Sequence, residues 1–235
     1  MRLNRLAWLS GISFLLSLLL AALPDTPAHA ACKSRTAPGV DWSRCLKARL
    51  ILKGENLRGA RLEYTDLTAT DLLGADLEGA ILDHANISNA RLSEANLHGA
   101  SMIKTNGNRV NFEGANLSDA NLTKAEITRA NFAGANLSKA DLSKAALSRA
   151  EFKDANLEGA KLLKAIVARA DFTGARLHGA DFTGAYVLLA RVEGADLSET
   201  IGLTQDQLND LCGSDDTKLP PSLTRPADWP CAPDD

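Results

Sequence analysis

The sequence has no Cys-x-x-Cys pair, no glycine-rich phosphate loop and no cluster of histidines. Those absences exclude the common zinc spacings and a nucleotide-phosphate cradle. Its four histidines, His29, His84, His98 and His178, are scattered, and no acid, base and nucleophile share a catalytic spacing. No enzyme activity, no metal and no cofactor are therefore expected. Charge of one sign is also lacking: 26 Lys and Arg stand against 29 Asp and Glu, a net of −3. Beyond Leu23 there is no long apolar run, so no membrane span is expected in the mature form. Cysteine is missing between Cys45 and Cys212. Any disulfide is thus confined to the two ends, or to a link between them.

What is present is a short period. Every fifth residue from Leu57 to Leu197 is apolar, and of the 29 members only Gly107 is not Leu, Phe, Ile, Val or Met. A second series runs two residues earlier, from Glu55 to Ala195, and is Ala at 24 of its 29 positions. Its departures are Glu55, Thr65, Thr70, Thr105 and Val110. The unit reads Ala-[Asp/Asn]-[Leu/Phe]-x-x, as in Ala75-Asp76-Leu77 and Ala135-Asn136-Leu137. A five-residue period fits neither a helix stripe nor strand alternation. It points to a repeat architecture in which each unit buries its face against its neighbours.

A second period of twenty residues sets the coil. Phe112, Phe132, Phe152 and Phe172 form one column, and Leu57 to Leu197 in steps of twenty form another. Leu67, Ile87, Ile127, Leu147, Val167 and Val187 make a third, and Leu62, Leu82, Met102, Leu122, Leu142, Leu162 and Phe182 the fourth. Four columns imply four pentapeptides per turn. Asn96, Asn116, Asn136 and Asn156 repeat at the same step, as side-chain ladders do.

On these residues the chain resembles the pentapeptide-repeat family, over roughly residues 50–201. The resemblance implies an all-β fold: a right-handed quadrilateral β-helix of about seven coils, with the central Leu or Phe and the preceding Ala inward. The chain is expected to divide into a signal peptide (1–30), an N-terminal cap (31–50), the solenoid (51–201) and a C-terminal cap (202–235). The family's best-described activity is imitation of duplex DNA toward topoisomerases by an acidic rod. Between Leu46 and Gly202 this chain carries 19 Lys and Arg against 20 Asp and Glu. A duplex carries one negative charge per about 1.7 Å, so that alternative and any nucleic-acid partner are disfavoured.

Arg2 and Arg5, the apolar run Leu6 to Leu23 and Ala28-His29-Ala30 read as a secretory leader cleaved near Ala30. The expected destination is the periplasm or the exterior. An uncleaved anchor is the alternative, opposed by Ser10, Gly11, Ser13 and Ser17 inside the run. Lipidation of Cys32 is another, opposed by His29 where an aliphatic residue is wanted. In an exported chain Cys32, Cys45, Cys212 and Cys231 read as disulfides. Three pairings are possible; Cys32–Cys45 and Cys212–Cys231 are favoured because a rod separates the ends. Pro38-Gly39-Val40-Asp41-Trp42 reads as a turn and an aromatic lid. Thr204-Gln205-Asp206-Gln207 is a capping box starting a helix through Leu211, with Gly213 placed to end it. The tail from Leu219 onward is Pro-braced.

Two surface columns exceed the motif. Lys104, Lys124, Lys144 and Lys164 are twenty apart, and so are Arg109, Arg129, Arg149 and Arg169. The matching positions on the other two faces are mostly Gly. A stripe of this kind would bind an anionic partner, whether an envelope polymer, a lipid headgroup or an acidic protein. Repeat duplication, with Glu126 and Asp141 neutralising the stripe, is the competing account, and it leaves a purely structural envelope rod. From Leu62 to Ala90 every charged residue is acidic, so self-association of acidic and basic stretches into a homo-oligomer is possible. Gly107, beside Thr105-Asn106 and Asn108, empties one core position and is expected to form a local bulge.

Overall fold

The computed structural model describes residues 32–231. The expected leader and its cleavage site lie outside them. Its repeating element is a turn. In Ala75-Asp76-Leu77-Glu78-Gly79, the Ala80 N–H donates to the Leu77 carbonyl at 2.9 Å, and Gly79 has φ of 63°. Positive φ at the third turn position is the type II requirement. The Asp76 carboxylate accepts from the Glu78 N–H at 3.2 Å, which is why Asp or Asn precedes the central residue.

Each unit then bonds to the coils on either side. The Leu77 N–H donates to the Asn96 carbonyl at 2.7 Å, and the Asn96 N–H to the Ala75 carbonyl at 2.9 Å. Parallel bridges run on four ladders at steps of twenty from Asp41↔Arg61 to Asp181↔Ile201, and the ladders end on the C-terminal cap with Arg191↔Cys212 and Asp196↔Lys218. They are single-residue bridges, and among the described residues no extended strand forms. The expected β-structure is thus made of bridges, because the turn takes two of every five residues. The ladders start at Asp41, ten residues ahead of the solenoid start at 51 expected from the sequence. Trp42 and Lys47 hold the central positions there, which hides the first coil from a search for Leu or Phe.

The core is a stack of identical layers. Phe112, Phe132, Phe152 and Phe172 lie face to face with centroids 4.8–4.9 Å apart and planes within 8°. Isolated aromatic pairs avoid that sandwich; here the coil spacing imposes it. The asparagine ladder is present: each Nδ2 donates to the Oδ1 one coil below at 3.1–3.2 Å. Buried Thr65, Thr70 and Thr105 replace Ala without loss, since their hydroxyls donate to the Trp42, Lys47 and Leu82 carbonyls at 2.6–2.8 Å.

Gly107 makes no bulge. Bridges Asn86↔Asn106 and Asn106↔Glu126 keep register. The reason is Val110, which stands where Ala is usual and is 1% exposed. Its Cγ2 would lie 3.2 Å from a Cβ on Gly107, so valine fills the volume that the missing side chain leaves.

Both ends are closed. At the first, Cys32–Cys45 is bonded, the Trp42 indole donates to the Ser34 carbonyl at 3.2 Å, and Lys47 Nζ sits 3.7 Å from the Trp42 ring centroid. Lys47 is buried, and burial lowers its pKa below the usual lysine value. At the other, α1 (Gln205–Asn209) carries the expected capping box on Thr204. The Gln207 amide also donates to the Phe182 and Ala185 carbonyls at 2.9 and 2.8 Å, satisfying last-coil acceptors. The helix ends at Asn209 with Asp210 as its C-cap, before the Leu211 and Gly213 expected from sequence. Gly213 instead lies against the Trp229 ring, where a Cβ would collide. Trp229 is held there by a 2.6 Å bond to the Leu211 carbonyl, and Cys212–Cys231 ties the tail beside it.

Candidate anion-binding face

The eight basic residues singled out in the sequence occupy the third position of the turn. Lys104, Lys124, Lys144, Lys164, Arg109, Arg129, Arg149 and Arg169 all have φ between 55° and 60°. A left-handed backbone costs a non-glycine residue about 1–2 kcal/mol. Glycine fills the equivalent place at 59, 79, 99, 159 and 179, and at 74, 114, 134, 174 and 194. The cationic columns therefore sit where glycine would be unstrained.

All eight side chains are exposed. The phenylalanine stack reflects the coil rise, so the turn positions in a column repeat about every 4.8 Å. Among the described residues none of the eight forms an ion pair. Glu126 and Asp141 form no ion pair with them, and the Asp141 carboxylate accepts the Ser143 N–H at 2.9 Å. The ion pairs of the rod involve other basic residues, for example Arg91–Asp71 at 3.0 Å, Lys153–Asp171 at 3.3 Å and Lys218–Asp196 at 2.8 Å. No ion pair therefore supports the account based on neutralisation.

A shallow groove runs beside the arginine column, lined by Asn108, Thr128, Arg129, Ser148 and Arg149. It offers hydroxyl and amide groups next to two guanidiniums, a donor set suited to oxyanions. Sequence reading missed these polar neighbours, although they too repeat at twenty. It also missed that the lysine column continues toward the N-terminus as His84, Tyr64 and Arg44. Tyr64 and His84 stack at 4.7 Å, and the Arg44 guanidinium lies 5.2 Å from the Tyr64 centroid.

A second depression is lined by residues including Glu158, Arg176, His178, Asp196 and Glu199. Two of its carboxylates are paired, Glu158 with Arg176 and Asp196 with Lys218 from outside the depression. His98 lies four coils from His178, and its Nδ1 is 3.0 Å from the Ser118 carbonyl. Among the described residues no cluster of His, Cys, Asp or Glu is arranged to hold a metal ion. No helix there is long and apolar enough to cross a membrane.

Ladders repeating at twenty residues, with Ala and Leu or Phe buried at fixed steps, define a repeat solenoid. The family described as pentapeptide repeats matches it in eight copies, over residues 56–93, 90–127, 115–154, 125–162 and 150–186. The chain belongs to the pentapeptide-repeat family. Among solved structures it is similar to HetL, a pentapeptide repeat protein involved in heterocyst differentiation regulation from the cyanobacterium Nostoc sp. strain PCC 7120. That match has 30% identity, covers 85% of this chain and 94% of HetL, and has a TM-score of 0.40. Trypsin-treated QnrB1, a plasmid-mediated fluoroquinolone resistance protein, is 19% identical over 73% of this chain and 90% of its own, with a TM-score of 0.39. A pentapeptide repeat protein from the Arabidopsis thaliana thylakoid lumen is 26% identical over 59% and 69%, with a TM-score of 0.17. No curated protein matches significantly by sequence comparison.

Proposed function

We propose that this protein is a non-catalytic exported scaffold whose two cationic ladders bind an anionic partner of the cell envelope. Its rod is read as a right-handed, four-sided β-helix of about seven coils between closed ends. The observation that carries the reading is eight exposed, unpaired cations held at turn positions that glycine fills elsewhere. Two disulfides fit an oxidising compartment, in keeping with export behind the leader. Imitation of DNA is the weaker reading, because the solenoid is close to neutral and its exposed ladders are positive.

The test is retention of the oxidised mature protein on a sulfated polyanion resin. Beside it runs a variant with Lys124, Arg129, Lys144 and Arg149 changed to Gln. The native protein is expected to elute at clearly higher salt than the variant. Equal elution would return the ladders to repeat duplication and leave a purely structural rod.

A further inference from the structure

One side of the solenoid lies between the two ladders. Its outward residues, coil by coil, are Asn106 and Asn108, then Glu126 and Thr128, then Ala146 and Ser148. Toward the C-terminal end they become Ile166 and Ala168, then Tyr186 and Leu188, with Leu189 at the corner. The side therefore passes from polar to apolar along the rod, while Lys104 to Lys164 line one rim and Arg109 to Arg169 the other. Ile166, Tyr186, Leu188 and Leu189 are 44%, 51%, 37% and 36% exposed. They are contiguous: Ile166 bridges Tyr186 on the adjacent coil, and the Arg169 N–H donates to the Leu188 carbonyl at 2.9 Å. Only Glu126 places a carboxylate on this strip between the ladders.

We infer that this side docks on an anionic lipid bilayer, with its basic rims on the headgroups and Ile166, Tyr186, Leu188 and Leu189 in the interfacial layer. The inference rests on the reading of the ladders as an anion-binding site and names what they meet. Charge complementarity selects a negative surface. The apolar end selects a bilayer over a soluble polyanion, which has no apolar layer to receive leucine and tyrosine. Tyrosine favours the headgroup boundary, and leucine and isoleucine favour the acyl edge just below it. The ladders repeat from coil to coil without a break in register, so cations on both rims address one plane together. Each cation close to such a surface raises affinity about fivefold, so four acting together give a several-hundredfold effect.

Flotation with vesicles tests this, using the oxidised mature chain. One set contains phosphatidylglycerol in phosphatidylcholine, the other phosphatidylcholine alone. Two variants are compared: the four-Gln ladder variant, and an apolar-end variant carrying Ile166→Thr, Tyr186→Thr, Leu188→Thr and Leu189→Asn. The native chain is expected on the anionic vesicles only. The ladder variant should lose at least about a hundredfold on vesicles and also lose the sulfated resin. The apolar-end variant should lose roughly tenfold or more on vesicles and keep the resin, which also shows that it is folded. A separate Tyr186→Trp substitution keeps the ladders intact, and brominated lipid should quench its added emission. Binding to the resin without binding to anionic vesicles, or an apolar-end variant as avid as the native chain, overturns the bilayer and leaves the anion site standing. Loss of both by the native chain overturns the two readings together.

Discussion

Val110→Ala is the most informative single change in the core. It removes two buried methyl groups, about 1.6 kcal/mol of transfer free energy. The neighbouring position is already empty because residue 107 is glycine, so the cavity adds roughly another 1 kcal/mol, for a total of about 2–3 kcal/mol. Gly107→Leu alone should also destabilise. Its Cβ would stand 3.2 Å from Ile87 Cγ1 and Val110 Cγ2 and 3.3 Å from Ile127 Cγ1, before the rest of the side chain is placed. Overpacking of that kind costs about 1–3 kcal/mol. The double variant restores the usual Leu and Ala of the repeat and should return close to the parent. Urea unfolding with both disulfides intact measures all four corners of this cycle, and a coupling of at least about 2 kcal/mol is expected. Additive losses in the double variant would refute the claim that Val110 replaces the side chain missing at 107.

Three further outcomes are expected. Lys144→Gly should be more stable than Lys144→Ala by about 1 kcal/mol in thermal unfolding, since residue 144 has φ of 60°; the helix-like order, with alanine ahead, would contradict the turn assignment. The Lys218 ammonium and the Ser198 hydroxyl hold the Asp196 carboxyl down to about 2. A depressed carboxylate contributes stability above its unfolded value near 3.9, and that contribution is lost as pH falls from about 4 to about 2. Asp196→Asn should flatten that limb by a small amount, because the pair is half exposed, and an unchanged acid limb would argue against the pair. Replacing Cys212 and Cys231 with Ser should weaken the C-terminal cap by about 2–4 kcal/mol. Hydrogen exchange should then rise first beyond Arg191 while the phenylalanine coils stay protected, and a uniform rise would show that the coils unfold as one body.

The fold is legible because its two periods are written in residue type. Leu, Phe and Ala recur wherever the coil points inward, and Asp or Asn wherever the turn needs an acceptor. The end disulfides were favoured for the same reason, as a rod leaves few geometric choices. The first coil was harder to see, since Trp42 and Lys47 meet the same positions with an indole ring and a buried lysine. Compensation at Gly107 was hidden because Val110 belongs to a different series and the two touch only in three dimensions. The helix end was misplaced because Gly213 serves packing against Trp229 and not a left-handed cap. Of the candidate face, the cations were visible as columns. Their strained backbone, their lack of partners and the apolar end between them emerge only when the coils are stacked.

Hydrogen bonds between coils point along the rod, and each coil holds only the next. Pulled by its two ends, such a rod would not give way at once. It would pay out chain one turn at a time, each release freeing twenty residues, or about 65 Å of extended length. The closed ends decide where that begins. A molecule laid between an anchored surface and a moving load would thus behave as a row of nearly equal links, yielding in steps and shortening again as each turn re-forms on its neighbour.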